Sequence, residues 1–149
     1  MRKIALATAI ATMTIASPAY AAGEARIEAR GGIAFAQGAE EAFAGAAAGY
    51  DFHANKRGFL GIEGSVDKVL QKGADEFYTI AVRAGVRTND KTKLYALGGI
   101  GFANGGSDFL AGAGVQRKFG NKAYGKIEYR RSFGFVDVNF VGVGLGIAF

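Results

Sequence analysis

The feature that most constrains this chain is a period-two alternation that recurs through eight successive segments. In each segment, apolar residues alternate with small or polar ones, and short turn-rich breaks separate one segment from the next. A period of two places successive side chains on opposite faces of a strand. The pattern therefore predicts eight strands, over Ala25–Phe35, Ala42–Phe52, Phe59–Asp67, Phe77–Arg87, Lys93–Ala103, Phe109–Phe119, Ala123–Phe133 and Val138–Phe149.

The number and length of these segments favour a closed sheet in a membrane. Each segment is long enough to cross a bilayer at a tilt, and the number of segments is even. An open edge would leave backbone hydrogen-bonding groups unsatisfied in hydrocarbon, so a sheet that crosses a membrane must close on itself. The sequence therefore predicts an all-β fold, namely a single eight-stranded antiparallel up-and-down transmembrane β-barrel.

The first 21 residues have a different character. The basic start Met1-Arg2-Lys3 precedes an apolar stretch that ends near Ala16, and small residues follow at Ala19-Tyr20-Ala21. A basic start, a short apolar run and an A-x-A site are the parts of a secretory signal peptide. We therefore expect residues 1–21 to be a cleaved signal peptide, residues 22–149 to form the barrel, and the protein to be exported to the cell outer membrane.

The scarcity of reactive side chains argues against an enzyme. The chain has no cysteine and one histidine, His53, which falls in a predicted turn. A serine or carboxylate nucleophile needs a nearby base, and a zinc site needs several nitrogen or sulfur ligands. A net charge of +5 that is scattered along the chain does not indicate nucleic-acid binding. We expect no catalysis, no cofactor, no metal and no nucleic-acid partner.

The polar faces of the strands point into the predicted barrel and carry the candidate site. An eight-stranded barrel has room inside for side chains and little else, so opposite charges there are expected to pair. We interpret this set as an ion-paired plug, and a charge relay or a selectivity filter is the alternative. Segment Lys93–Ala103 has two possible frames, because glycines occupy both of its faces. The predicted lumen network consists of Glu28, Arg30, Glu63, Arg83, Lys126, Glu128 and Arg130.

Three stretches carry a resemblance to a known family. Residues 141–149 (VGVGLGIAF) resemble the C-terminal signal of outer-membrane proteins, and residues 48–52 (AGYDF) and 112–120 (GAGVQRKFG) are similar to small opacity/OmpA-type barrels, which carry a porin-family label. The resemblance implies that the barrel-assembly machinery and periplasmic chaperones handle the chain during biogenesis, and that lipid surrounds it afterwards. The implied assembly signal is Val143, Leu145, Ile147 and Phe149.

Together these features predict a non-enzymatic, integral outer-membrane β-barrel that contributes to membrane structure or integrity and has its lumen plugged by ion pairs. A narrow or transient porin-like pore is one alternative. A soluble periplasmic, lipocalin-like binding barrel or interaction module is another, because alternation alone does not say which face lies inside. The sequence leaves the oligomeric state open.

Overall fold

The computed structural model describes residues 23–103, 106–134 and 137–149, and the predicted signal peptide lies outside these ranges. Within them, no helix is long and apolar enough to cross a membrane. The eight strands are β1 (Gly23–Ala36), β2 (Ala39–His53), β3 (Gly58–Val69), β4 (Glu76–Arg87), β5 (Thr92–Ala103), β6 (Gly106–Phe119), β7 (Ala123–Phe133) and β8 (Val138–Ala148).

Each strand pairs in antiparallel fashion with the next, and β1 also pairs with β8, so the sheet forms a closed barrel. The predicted eight-stranded fold is therefore confirmed. Strands β1 to β6 extend further than the sequence pattern indicated, which shortens the connections between them, whereas β7 has the predicted bounds and β8 ends one residue earlier. Gln37 and Gly38 alone join β1 to β2, and their φ angles of 47° and 82° fit the type I′ turn that two-residue hairpins favour.

The connections between strands lie at the two ends of the barrel, which form a lower rim and an upper rim. The lower rim carries the segments 54–57, 88–91 and 120–122, together with Gly23 and Phe149. The upper rim carries the connections after β1, β3, β5 and β7, of which 70–75 is the longest at six residues. Among the residues that the structure describes, no connection on either rim is longer than six residues.

The two faces of the wall differ sharply in chemistry. Large apolar side chains cover the outer face, and Ile80, Ile127 and Leu145 are 67%, 65% and 68% exposed. Charged side chains such as Arg26 and Arg83, each 1% exposed, lie inside. This is the reverse of a water-soluble barrel, whose apolar side chains fill the interior.

The structure also fixes the frame of β5. Lys93, Tyr95 and Leu97 point inward and are buried, whereas Leu94 and Ile100 lie on the outer face. Pairing determines this frame, because Leu97 stands opposite the inward-facing Arg83 of β4. The glycines that obscured the frame in the sequence allow neighbouring strands to approach closely. A Cβ at Gly99 would lie 2.2 Å from the backbone oxygen of Ile80.

Candidate functional site

The charged lumen is centred on Glu63 of β3. The Oε2 atom of Glu63 lies 2.8 Å from Nη2 of Arg26, 3.7 Å from Nη1 of Arg83 and 3.8 Å from Nζ of Lys126. Its Oε1 atom accepts a hydrogen bond from Nη1 of Arg30 at 3.2 Å. The Glu63 side chain is only 4% exposed. One buried carboxylate therefore joins four cations from three strands, β1, β4 and β7.

Above this centre, Asp67 and Glu128 hold two arginines. Arg30 donates to both carboxylate oxygens of Asp67, and Nη2 of Arg130 donates to Oδ2 of Asp67 at 3.3 Å. Nε of Arg130 also lies 3.1 Å from Oε1 of Glu128. Arg130 of β7 reaches Asp67 of β3, which stands four strands away around the barrel, so this contact ties opposite sides of the wall together.

Two tyrosines complete the network on the side of β7. Nζ of Lys126 lies 2.5 Å from Oε1 of Glu28 and 3.1 Å from Oε2 of Glu128. The Tyr124 hydroxyl donates to Glu28 at 2.7 Å, and the Tyr95 hydroxyl donates to Glu128 at 2.6 Å. The Tyr124 hydroxyl therefore serves the buried Glu28 oxygen that the lysine does not contact, whereas Tyr95 and Lys126 share Oε2 of Glu128.

Below the centre, the network continues toward the lower rim. Asp51 lies 3.2 Å from Nε of Arg83 and 2.8 Å from Nζ of Lys93. Lys93 Nζ is also 2.7 Å from Oε1 of Glu24, whose other oxygen accepts from Lys118. The ion pairs thus form a continuous chain through the lumen, from Asp67 down to Lys118.

All seven residues of the predicted network lie in this lumen, and each is buried and within 4.0 Å of an opposite charge. Several further inward-facing residues join the network and were not among the predicted seven. They are Glu24, Arg26, Asp51, Asp67, Lys93, Tyr95, Lys118 and Tyr124.

One signal in the sequence could have revealed the missing acids. The predicted set contains three carboxylates for four cations, and a dry interior tolerates such an imbalance poorly. Asp51 and Asp67 lie on the inward faces of β2 and β3, and counting every inward charge would have added them. Their depth was not readable, because the tilt of barrel strands moves residues near a strand end toward the middle of the lumen.

Aromatic side chains fill the upper lumen. The Phe43 and Phe140 rings meet edge to face with centroids 5.5 Å apart, and Phe77 stacks on Phe140 at 6.0 Å. The guanidinium carbon of Arg130 lies 5.8 Å from the centroid of Phe140, so the aromatic layer rests directly on the ion pairs. Two cavities of about 10 Å³ each remain beside these rings, each with room for about one water molecule.

This arrangement is suited to holding charges in place. Among the described residues, no group of three or more His, Asp or Glu side chains could hold a metal ion. His53 stands at the end of β2 on the lower rim, away from the central carboxylates. Each central charge instead contacts one or more fixed opposite charges.

The predicted assembly signal lies on the opposite face of the wall. Its four side chains project outward from the last strand, with exposures between 46% and 68%, and form one apolar stripe; they are Val143, Leu145, Ile147 and Phe149.

No protein-family model matches the chain, and no curated protein matches it in sequence. Several solved structures share its fold. The N-terminal β-barrel domain of Pseudomonas aeruginosa OprF superposes with a TM-score of 0.65 at 14% identity, over 85% of this chain and 97% of that one. Ail, the attachment invasion locus protein of Yersinia pestis, was crystallised with the heparin analogue sucrose octasulfate. It superposes with a TM-score of 0.61 at 18% identity, over 85% of this chain and 97% of that one. Neisserial surface protein A superposes with a TM-score of 0.58 at 13% identity, over 84% of this chain and 96% of that one.

These likenesses identify the class of fold. The chain has the architecture of the small eight-stranded outer-membrane β-barrels, and the fold that the sequence resemblance implied is confirmed.

Proposed function

We propose that this protein is an integral outer-membrane barrel that contributes to membrane structure and does not catalyse a reaction or conduct steadily. One observation carries the proposal: the wall is apolar outside and charged inside, around a lumen filled by paired charges and aromatic rings. Lipid is the surrounding that suits the outer face, and hydrogen bonds across a closed sheet satisfy the backbone within it. The outer-membrane fold of the neighbouring structures supports the same location.

The orientation of the faces argues against the soluble alternative. In water, the outer face would expose Leu60, Ile62, Ile80 and Val82, which are 54–67% exposed and adjoin one another on β3 and β4. Monomeric soluble proteins rarely expose apolar patches of this kind. A lipocalin-like barrel would also need an apolar cavity for its ligand, whereas this interior holds buried ion pairs.

The lumen argues against a steady pore. An ion that passes through it would have to displace the pairs at Glu63 and then the stacked rings of Phe43, Phe77 and Phe140. Breaking a buried pair costs roughly 3–5 kcal/mol. The interior of an eight-stranded barrel is just wide enough for its own side chains. The ion pairs therefore act as a plug.

The proposal includes the partners that the sequence implied. Lipid contacts the outer wall, and the barrel-assembly machinery and chaperones act during biogenesis through the outward stripe of β8. No cofactor and no nucleic acid enter this function.

The location is tested by fractionating a Gram-negative host that expresses the full chain. We expect the protein in the outer-membrane fraction, with a faster gel mobility unheated than boiled, because a closed barrel keeps its hydrogen bonds in detergent until heated. Recovery in the soluble periplasmic fraction, with one mobility under both conditions, would overturn the proposal.

The plug is tested in planar bilayers with the purified protein. Wild-type protein should give no stable current, and replacement of Phe43 and Phe140 by Ala should increase brief openings by thinning the aromatic layer. The control is Phe109→Ala, which removes an aromatic ring that is 57% exposed on the outer face. A large, stable current through the wild-type protein would refute the plug and support the porin-like pore instead.

A further inference from the structure

The two rims of the barrel differ in charge. The upper rim carries six carboxylates and three cations, which are Glu40, Glu41, Asp75, Glu76, Asp108 and Asp137 with Lys68, Lys72 and Arg131. The lower rim carries six cations outside the lumen network, here named the basic collar, which are Lys56, Arg57, Arg87, Lys91, Arg117 and Lys122. Asp90 is the one acidic residue among the lower connections. The asymmetry is invisible in the modest net charge of the whole chain.

Two of the three upper-rim cations have carboxylate partners, which the collar cations lack. On the upper rim, Lys68 pairs with Glu76 at 3.2 Å and Arg131 with Asp137 at 2.5 Å. Within residues 23–103, 106–134 and 137–149, no carboxylate lies within ion-pair distance of a collar cation. The protein itself therefore leaves the charge of the collar unbalanced.

Strand pairing sets like charges of the collar side by side. The backbone nitrogen of Arg87 donates to the backbone oxygen of Arg57 at 2.7 Å, which places Arg57, just before β3, opposite Arg87 at the end of β4. Lys118 N also donates to Lys91 O at 2.8 Å, which sets Lys91 of the collar opposite the network lysine that pairs with Glu24. Like charges opposite each other across a sheet repel. An anion outside the protein would relieve that repulsion.

The collar adjoins an aromatic belt on the outer wall. Phe52, Phe119 and Phe149 are 44%, 55% and 48% exposed near the lower rim. Arg117 is itself exposed on the outer face of β6, two residues from Phe119. Aromatic belts mark the boundary between hydrocarbon and headgroups. A long arginine side chain at that level reaches the phosphate layer while its aliphatic part stays against the wall.

From this arrangement we infer that the basic collar binds the phosphates of anionic phospholipids in the leaflet that surrounds the lower rim. This inference rests on the proposed membrane location and adds a lipid class to it. The longest described connection, 70–75, lies on the upper rim. Outer-membrane barrels carry their longer loops outside, so the lower rim faces the periplasm, where glycerophospholipids form the leaflet. Each cation near a charged bilayer surface adds attraction for anionic lipid, which falls off within a Debye length.

The test uses the full chain refolded in phosphatidylcholine vesicles that contain a trace of spin-labelled phosphatidylglycerol or spin-labelled phosphatidylcholine. The motionally restricted part of the spectrum reports lipid held at the protein surface. We expect phosphatidylglycerol to be favoured about threefold at low salt, which corresponds to about 0.7 kcal/mol and lies within the range measured for exposed ion pairs. The preference should fall toward one in 1 M NaCl, where the Debye length is about 3 Å.

Two triple variants with the same change in net charge separate the collar from general electrostatics. The combination of K91Q, R117Q and K122Q should abolish most of the preference, whereas K68Q, K72Q and R131Q on the upper rim should leave it near the wild-type value. Equal retention of both lipids by the wild type, or equal losses in the two triple variants, would overturn the inference alone. Failure of the wild type to insert, seen as a single gel mobility and no restricted lipid, would overturn the proposed function and this inference together.

Discussion

Replacement of Glu63 by Gln tests the central claim that paired charges hold the lumen together. The substitution keeps the size of the side chain and removes the one negative charge that Arg26, Arg30, Arg83 and Lys126 share. Removing one partner of a buried pair costs roughly 3–5 kcal/mol. The lumen then has one carboxylate fewer for the same number of cations.

The structure places the expected loss near the lower end of that range. Each of the four cations keeps a second carboxylate: Asp51 lies 3.5 Å from Nε of Arg26 and 3.2 Å from Nε of Arg83. Arg30 keeps Asp67, and Lys126 keeps Glu28 at 2.5 Å. Glu63 is nearly inaccessible to water, so solvent does little to screen the remaining repulsion. We therefore expect a loss of about 3 kcal/mol in the free energy of unfolding.

The measurement is urea unfolding of the folded protein in lipid vesicles, with the unboiled gel band and circular dichroism as the two probes. Ser65→Ala is the matched control, because Ser65 is the next inward residue of β3 and its buried Oγ has no hydrogen-bond partner among the described residues. The control should change stability by less than about 1 kcal/mol, since no hydrogen bond is lost. A loss of that size or less in Glu63→Gln would refute the idea that the pairs stabilise the barrel.

Three further predictions concern the wall. Ile127→Arg on the outer face should lower the free energy of unfolding by about 2–4 kcal/mol, because it sets a charge in the middle of the bilayer. The measurement is urea unfolding in vesicles, and an unchanged stability would indicate that this face lies in water. Gly99→Ala should destabilise the barrel in the same assay, because the added Cβ would lie 2.2 Å from a backbone oxygen of β4. Gly98→Ala is the control and should be tolerated, because the nearest atom to its Cβ would be 3.8 Å away. Equal losses of stability in the two variants would refute the close approach of the strands at Gly99. Phe149→Ser should lower the yield in the outer-membrane fraction more than Phe133→Ser, because the resemblance assigns only Phe149 to the assembly signal. Phe133 is a matched control, since the two rings are 45% and 48% exposed. Equal yields of the two variants would contradict that assignment.

The sequence predicts which side chains face the lumen and which face outward for most of this protein. The alternation of Arg26, Glu28 and Arg30 with Ile27 and its apolar neighbours assigns each side chain to one of two faces, because a strand has only two. The absence of a second long apolar run and the need to satisfy every backbone group then select a closed barrel. The seven predicted lumen charges followed from that frame.

The tertiary structure decided which of those charges meet, and at what depth. Asp51 stands near the end of β2, yet it contacts Arg83 from the middle of β4, because the stagger of tilted strands sets relative heights that no single strand encodes. Lys93 joined the network only when pairing fixed the frame of β5, where glycines on both faces had left two choices open. The basic collar arises in the same way. Arg57 and Arg87 are thirty residues apart along the chain, and the register of β3 against β4 sets them side by side on one rim.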